Sequence, residues 1–252
     1  MSKLKNKVAI VTGASKGIGA GIAKAYGAEG ASVVVNYASD KEGADRVVTE
    51  ITKSGGKAIA VQGSVAVAAD VKRIFRETKE VYGQVDILVN NAGVFKFEPV
   101  ETITEEEFHR QFNINVLGTL LATQQAVNDF GTNGGSIINV SSVISDNPSA
   151  HSVVYSATKG AVDTIAVALS KELGSRKIRV NTIAPGATLT ERTTNDADYE
   201  ATWSRITPMG RPANTRDIAN AALFLVSDRA KHITGQSLII DGGWTAVSPS
   251  PF

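Results

Sequence analysis

The sequence predicts an α/β fold: one doubly wound domain over residues 1–252, with a seven-stranded, mainly parallel sheet covered by helices on both faces. Two observations carry this. Seven short apolar, β-branched runs occur without apolar/polar alternation, as strands buried on both faces require. Stretches of helical character separate them, and that alternation gives parallel strands joined by right-handed crossovers.

The first run, "VAIVT" from Val8, leads into the glycine-rich "TGASKGIG" and a helix over 18–29. "SVVVNY" from Ser32 precedes a helix over 41–53, with Asp40 placed to cap its start. "KAIAVQ" from Lys57 is followed by a helix over 67–81, "VDILVNN" from Val85 by one over 105–130, and "SIINVSS" from Ser136 by one over 154–173. "IRVNTIAP" from Ile178, a helix over 216–226 and "SLIID" from Ser237 complete the series. Only 186–214 breaks the alternation. An irregular connection that long in a compact domain points to function, and 187–213 is expected to form a substrate lid. Ligands belong at the carboxyl ends of such strands.

Composition narrows the function classes. With 26 basic and 25 acidic residues the net charge is +1, and no like-charge block exceeds Glu105-Glu106-Glu107. Nothing here provides the basic footprint that nucleic acid or an anionic membrane demands. The absence of cysteine excludes disulfides, thiolate metal sites and cysteine nucleophiles. His109, His151 and His232 are scattered, so no metal site is expected. The N-terminal apolar run is too short for a signal peptide, and no segment approaches the ~20 apolar residues of a membrane span. A soluble, cytoplasmic protein is expected. Asn139-Val140-Ser141 matches a glycosylation acceptor, but within an apolar run the match reads as coincidence.

Gly13, Gly17 and Gly19 are spaced GxxxGxG between a strand and a helix. A turn of this kind brings backbone N–H groups and the positive end of a helix toward a pyrophosphate, although a plain tight turn would use the same glycines. The same residues also fit GxSxG, the nucleophile elbow of α/β-hydrolases, with Ser15 as nucleophile and His151 or His232 downstream. That elbow needs several strands ahead of it, and only one precedes Ser15.

Tyr155 and Lys159 stand four residues apart on a helix, on one face. Their reference pKa values are about 10 and 10.4. A fixed ammonium beside the phenol favours phenolate, and a depression of roughly 3 units corresponds to about 4 kcal/mol. The strand ending "INVSS" brings Ser141 and Ser142 to the same sheet edge, where a hydroxyl could hold a carbonyl oxygen. On these residues alone, a core tyrosine with a snorkelling lysine is an equal reading.

Taken together, "TGASKGIG", "NNAG" at residues 90–93, a serine thirteen residues before "YSATK", "APG" at 184–186 and a closing "IDGG" resemble the short-chain dehydrogenase/reductase family, across essentially the whole chain. The resemblance implies a Rossmann-type domain binding NADPH/NADP+ and acting on a small-molecule carbonyl substrate. It makes Tyr155 the acid/base, with Lys159 lowering its pKa and holding the nicotinamide ribose. Ser142, rather than Ser141, would orient the substrate oxygen. Asn115, in "NINVLG", would bend its helix and hold a water linking Lys159 to solvent. The cofactor would lie along Gly13, Ser15, Lys16, Gly17, Ile18 and Gly19. Asn90, Ala92 and Gly93 would run along it, with Pro185, Gly186 and Thr190 at its nicotinamide. Where the family commonly has an aspartate on adenine, this chain has Ser64.

The end of the second strand selects the cofactor. An NAD site usually carries an acid there, and that acid would repel a 2′-phosphate. Here the position is Tyr37, after the neutral Asn36, with Lys16 and Ser39 in reach of a phosphate. NADPH is therefore expected over NADH. The helices over 154–173 and 216–226 carry more small and apolar residues than one sheet face needs, and with the resemblance this implies a homotetramer. Phe95, Phe97, Tyr199, Trp203, Met209 and the segment after Ser142 are expected to wall the cleft, which suits uncharged ketones or keto esters. The directions of Arg192, Arg205 and Arg211 cannot be read from sequence. If they face a phosphopantetheine, a 3-oxoacyl-carrier-protein reductase is the competitor, with a sugar dehydrogenase of the same family as a further alternative.

Overall fold

The computed structural model describes residues 3–246. Its sheet uses β1 (Val8–Val11), β2 (Ser32–Tyr37), β3 (Lys57–Gln62), β4 (Ile87–Asn90), β5 (Gly135–Val140), β6 (Ile178–Pro185) and a last strand, β9 (Ser237–Ile240). All seven pair in parallel, in the order β3-β2-β1-β4-β5-β6-β9. The order reverses between β1 and β4. In a doubly wound sheet this reversal opens a crevice beyond the carboxyl ends of the two strands.

Helices cover both faces because successive strand residues point opposite ways. Ala9 and Val11 pack with Ile22 and Tyr26 of α1 (Gly17–Ala28), Val47 and Ile51 of α2 (Lys41–Lys53), and Ile218 and Ala222 of the last helix, α8 (Thr215–Val226). Ile10, between them, joins the other layer. There it meets Ile74 and Phe75 of α3 (Ala68–Tyr82), Ala122 and Ala126 of α5 (Gly118–Asp129), and Ala166 and Leu173 of α6 (Val153–Leu173). Each such large side chain contributes roughly 1.5–3 kcal/mol by leaving water. Asn139, the glycosylation match, is fully buried in β5.

Two stretches depart from the sequence expectation. The helix over 105–130 is divided: α4 (Glu105–Phe112) passes through one π turn, Asn113–Leu117, into α5. The segment 186–214 is not irregular throughout. It holds β7 (Thr188–Leu189), α7 (Tyr199–Ile206) and β8 (Ala213–Asn214), and β7 pairs with β8 so that the excursion leaves and returns at one point. Two-residue strands are too short to show a pattern. Asn214 and Asp217 then cap α8 reciprocally, as a capping box does. Among the described residues no helix is long and apolar enough to cross a membrane.

Candidate active site

A cleft of about 460 Å³ opens at the strand-order reversal, within the range of small-molecule sites. The glycine turn forms its floor. Gly13 has φ +60°, and a Cβ there would stand 2.8 Å from the Ala92 Cα, so the turn closes directly on the end of β4. Thr12 Oγ1 accepts from the N–H groups of Asn91 (2.9 Å) and Ala92 (3.0 Å), and Asn91 Nδ2 donates back to the carbonyls of Thr12 and Gly13. From the other side, Asn36 accepts from the Gly13 N–H and donates to the carbonyls of Val61 and Gly63. The turn is thus tied to three strands before any ligand arrives.

At its open end α1 has no side-chain cap. The Gly17 N–H donates instead to Glu191 Oε2 at 2.9 Å, from the lid segment. A carboxylate therefore sits on the positive end of α1, where a phosphate oxygen would be welcome. The residues present fit an anionic dinucleotide. Lys16 Nζ lies 3.6 Å from Asp40 Oδ2 in the same wall, while Asp40 Oδ1 accepts from the Gly43 N–H as the expected cap of α2.

Tyr155, Ser142 and Lys159 lie outside the lining of this cleft and adjoin it through Phe95, a lining residue that stands against the Tyr155 ring. Ser142, two residues past the end of β5, lies beside the Tyr155 phenol, and its hydroxyl accepts from the Ile144 N–H at 3.4 Å. Phe95 and Phe97 stand against the Tyr155 ring, with centroids 5.4 and 6.1 Å away. Lys159 is buried; its Nζ donates to the Val140 carbonyl at 2.7 Å and lies 5.6 Å from the centre of the Tyr155 ring. Asn115 occupies the π turn. Its side chain accepts from the Val94 N–H (2.8 Å) and donates to the Val94 carbonyl (2.8 Å) and to Thr158 Oγ1 (3.0 Å). Thr158 in turn donates to the Tyr155 carbonyl. The π turn thereby clamps the β4 exit to the Tyr155 face of α6.

The electrostatics differ from the sequence expectation. Burial pushes the Tyr155 phenol up to about 12, against the opposing pull of the Ser142 hydrogen bond and the Arg192 charge. Burial lowers Lys159 to about 8, partly offset by Asp163. This is the reverse of the expected depression, because desolvation of the phenol outweighs the groups that favour phenolate. A protonated tyrosine at neutral pH is the form that can donate.

Of the expected cofactor residues, Gly13, Ser15, Lys16, Gly17, Ile18, Gly19, Tyr37, Ser39, Ser64, Ala92, Gly93 and Thr190 line this cleft. Asn90 does not: its Nδ2 donates to Thr123 Oγ1 and Asn139 Oδ1, pinning β4 in the core, and the neighbouring Asn91 faces the cleft. Pro185 and Gly186 lie beyond the lining, at the end of β6, where the Gly186 N–H donates to Ile240. Tyr37 keeps its ring largely buried against the core. Tyr199 and Trp203 pack on each other, and Trp203 meets Trp244 edge-on at 5.0 Å. Of the three undirected arginines, Arg192 reaches the cleft, its guanidinium 3.7 Å above the Phe95 ring, while Arg211 pairs with Asp217. Glu191, Asn91 and Thr12 were not singled out in the sequence as site residues, and Arg192 and Asn36 were named there without a cofactor contact. The second asparagine of "NNAG" and the threonine before Gly13 were the available signals.

The comparisons with known proteins give the chain's relatives and its fold. A family described as enoyl-(acyl carrier protein) reductase matches residues 13–245. An uncharacterized oxidoreductase of Methylorubrum extorquens is 51% identical over 247 residues, covering 96% of this chain and 99% of the relative. The 3beta-hydroxysteroid dehydrogenase 1 of Eggerthella lenta is 40% identical, covering 96% and 95%. The crystal structure of an angucycline C-6 ketoreductase with bound NADP superposes with a TM-score of 0.92, at 38% identity and 98% coverage of both chains.

Proposed function

Because the chain belongs to the short-chain dehydrogenase/reductase family of oxidoreductases, we propose that it reduces a ketone or keto ester to a secondary alcohol with NADPH. The observation that carries the reading is the Tyr155 phenol, with Ser142 beside it and Lys159 one turn on, adjoining a cleft floored by the glycine turn. When bound, the cofactor supplies a hydride to the carbonyl carbon. The Ser142 and Tyr155 hydroxyls address the carbonyl oxygen, and the Tyr155 proton passes to that oxygen as charge develops there. Lys159 and Arg192 stabilise the phenolate left behind. Asn115, through Val94 and Thr158, holds the two walls of the site in register. Phe95 and Phe97 keep water from the Tyr155 ring, and residues 187–213 act as the lid of one catalytic domain.

Preference for NADPH is supported by the lack of an acid at the end of β2, by the engagement of Asp40 with Gly43 and Lys16, and by the NADP bound in the ketoreductase neighbour. Lys16 and Ser39 would hold the 2′-phosphate. The aromatic wall favours uncharged aryl or alkyl ketones over free sugars. A carrier-protein substrate is the second reading, favoured by the description of the matching family, though Arg211 is already committed to Asp217. We also propose a cytoplasmic homotetramer. Phe224 on α8, Leu238 and Ile239 on β9, and Val153 and Val167 on α6 expose between 39% and 57% of their surfaces.

The test is a panel of ketones, carrier-bound β-ketoesters and alcohols run with both cofactors, followed at the reduced-nicotinamide absorbance. Tyr155→Phe should lower kcat by ~10² to 10⁴ and leave NADPH affinity within a few-fold. A Tyr155→Phe enzyme keeping a tenth of its activity would contradict the assignment.

A further inference from the structure

Asp163 is a partly buried acid that the reaction above does not use. It lies one turn beyond Lys159 on α6, so the two side chains share a face. Its Oδ2 accepts from Ser141 Oγ at 3.0 Å. Ser141 is itself buried, its N–H donates to Ile183, and its hydroxyl also faces the Lys159 carbonyl at 3.3 Å. The other carboxylate oxygen, Oδ1, is shielded from solvent without a hydrogen-bond partner among the described residues. Ser145 lies beside the carboxyl group, but its hydroxyl donates at 2.9 Å to the Ser142 carbonyl. The loop from Ser141 to Asp146 therefore sits on Asp163 at its first residue and folds back on Ser142 at its fifth.

A half-satisfied buried carboxylate costs stability, and a plain helix-packing role would be better served by an apolar side chain. Its neighbours indicate another use. Successive residues of extended chain point opposite ways, so fixing Ser141 inward turns Ser142 outward, toward Tyr155. The charged groups around the pair are few. Lys159 faces Asp163 from the same helix and Asp146 approaches from the loop after β5, while Arg192 acts on Tyr155 from the lid.

We propose that Asp163 is a positioning residue for the reaction: through the Ser141 hydroxyl it aims Ser142 at Tyr155, and its carboxylate is the counter-charge of the Lys159 ammonium. This rests on the roles assigned to Ser142, Tyr155 and Lys159 above. The two functions separate experimentally. Asp163→Asn keeps an oxygen for Ser141 and removes the charge, whereas Ser141→Ala keeps the charge and removes the link.

Ketone reduction would be measured from pH 6 to 10 for the wild type, Asp163→Asn, Ser141→Ala and a Tyr155→Phe control, with cofactor affinity followed by fluorescence. Removing the negative charge makes Lys159 give up its proton at lower pH. The alkaline limb of kcat in Asp163→Asn should therefore move down by about one pH unit, with kcat at pH 6 within about threefold of wild type. Ser141→Ala should lower kcat about three- to tenfold at every pH, without moving the limb or the cofactor affinity. An unmoved limb in folded Asp163→Asn overturns the proposal. If that variant does not fold, wild-type kcat in Ser141→Ala overturns it and the uniform loss supports it. A Tyr155→Phe control as active as wild type removes the assigned roles, and this proposal with them. An inactive control with an unmoved Asp163→Asn limb defeats the Asp163 role alone.

Discussion

Replacing Lys159 by methionine should destroy activity and stabilise the protein at neutral pH. In the folded chain the ammonium is buried, and its pKa is lowered from 10.5 to about 8. Unfolded, the lysine recovers its ordinary value, so the unfolded state binds the proton more tightly. Stability therefore carries a penalty that is fully present below pH 8 and disappears as pH rises to about 10.5. The size of the penalty follows from the two values, at about 3 kcal/mol. Methionine is of similar length and removes it, but leaves the Val140 carbonyl without its donor, a loss of about 1–2 kcal/mol. The net gain at pH 7 is then about 1–2 kcal/mol, or roughly 2–8 °C in Tm for a chain of this size. Near pH 10.5 only the lost hydrogen bond remains and the variant should be the less stable by about 1 kcal/mol. Thermal unfolding of both proteins at pH 7 and 10.5, at one protein concentration, measures this crossing. A variant that is less stable at pH 7, or a gain that persists unchanged at pH 10.5, would refute the reasoning.

Three other outcomes are expected. Lys16→Ala should raise KM for NADPH at least tenfold and leave the KM for NADH within about twofold, because one charge-assisted contact to a phosphate is lost; equal effects on both cofactors would remove Lys16 from the 2′-phosphate site. Gly19→Ala places a Cβ 2.4 Å from Asn91 Nδ2 and 2.6 Å from the Gly13 carbonyl. The asparagine bonds that close the turn must break, and titration calorimetry should find cofactor binding weakened by more than tenfold in a still-folded protein. Light scattering at micromolar concentration should return the mass of a tetramer, and a monomer mass would disprove the assembly.

The sheet was legible because its strands are covered on both faces. Runs such as "VAIV" and "SIINV" cannot belong to an exposed hairpin, and the glycine turn marks where the first of them ends. Spacing put Tyr155 and Lys159 on one helix face, and only the company of the other motifs singled them out. The proton affinity of Tyr155 was not legible, since it depends above all on how deeply the fold buries the phenol. The roles of Asn90 and Asn91 were blurred for a related reason: adjacent strand-end residues face opposite sides, and sequence does not say which side is the cleft. Arg192 depends on how the lid folds back between β7 and β8, two pairs of residues with no pattern of their own. The break at Asn113–Leu117 is invisible to helical periodicity because apolar residues continue through it.

That break fixes a count as well as a shape. A π turn accommodates one residue more than the same span of α-helix, and each residue of helix turns the chain by about 100°. Deleting one residue between 113 and 117 would therefore let the helix run on without interruption and in phase, whereas a further deletion, or an insertion, would rotate everything beyond it by that angle. Ala122 and Ala126, now buried against the sheet, would swing aside, and larger side chains would be driven into the space they leave. Substitutions at Ile114 or Val116 leave this arithmetic untouched. Relatives aligned with this chain should vary in residue type across the stretch and in length by no more than that one residue, and longer gaps should collect instead at the lid.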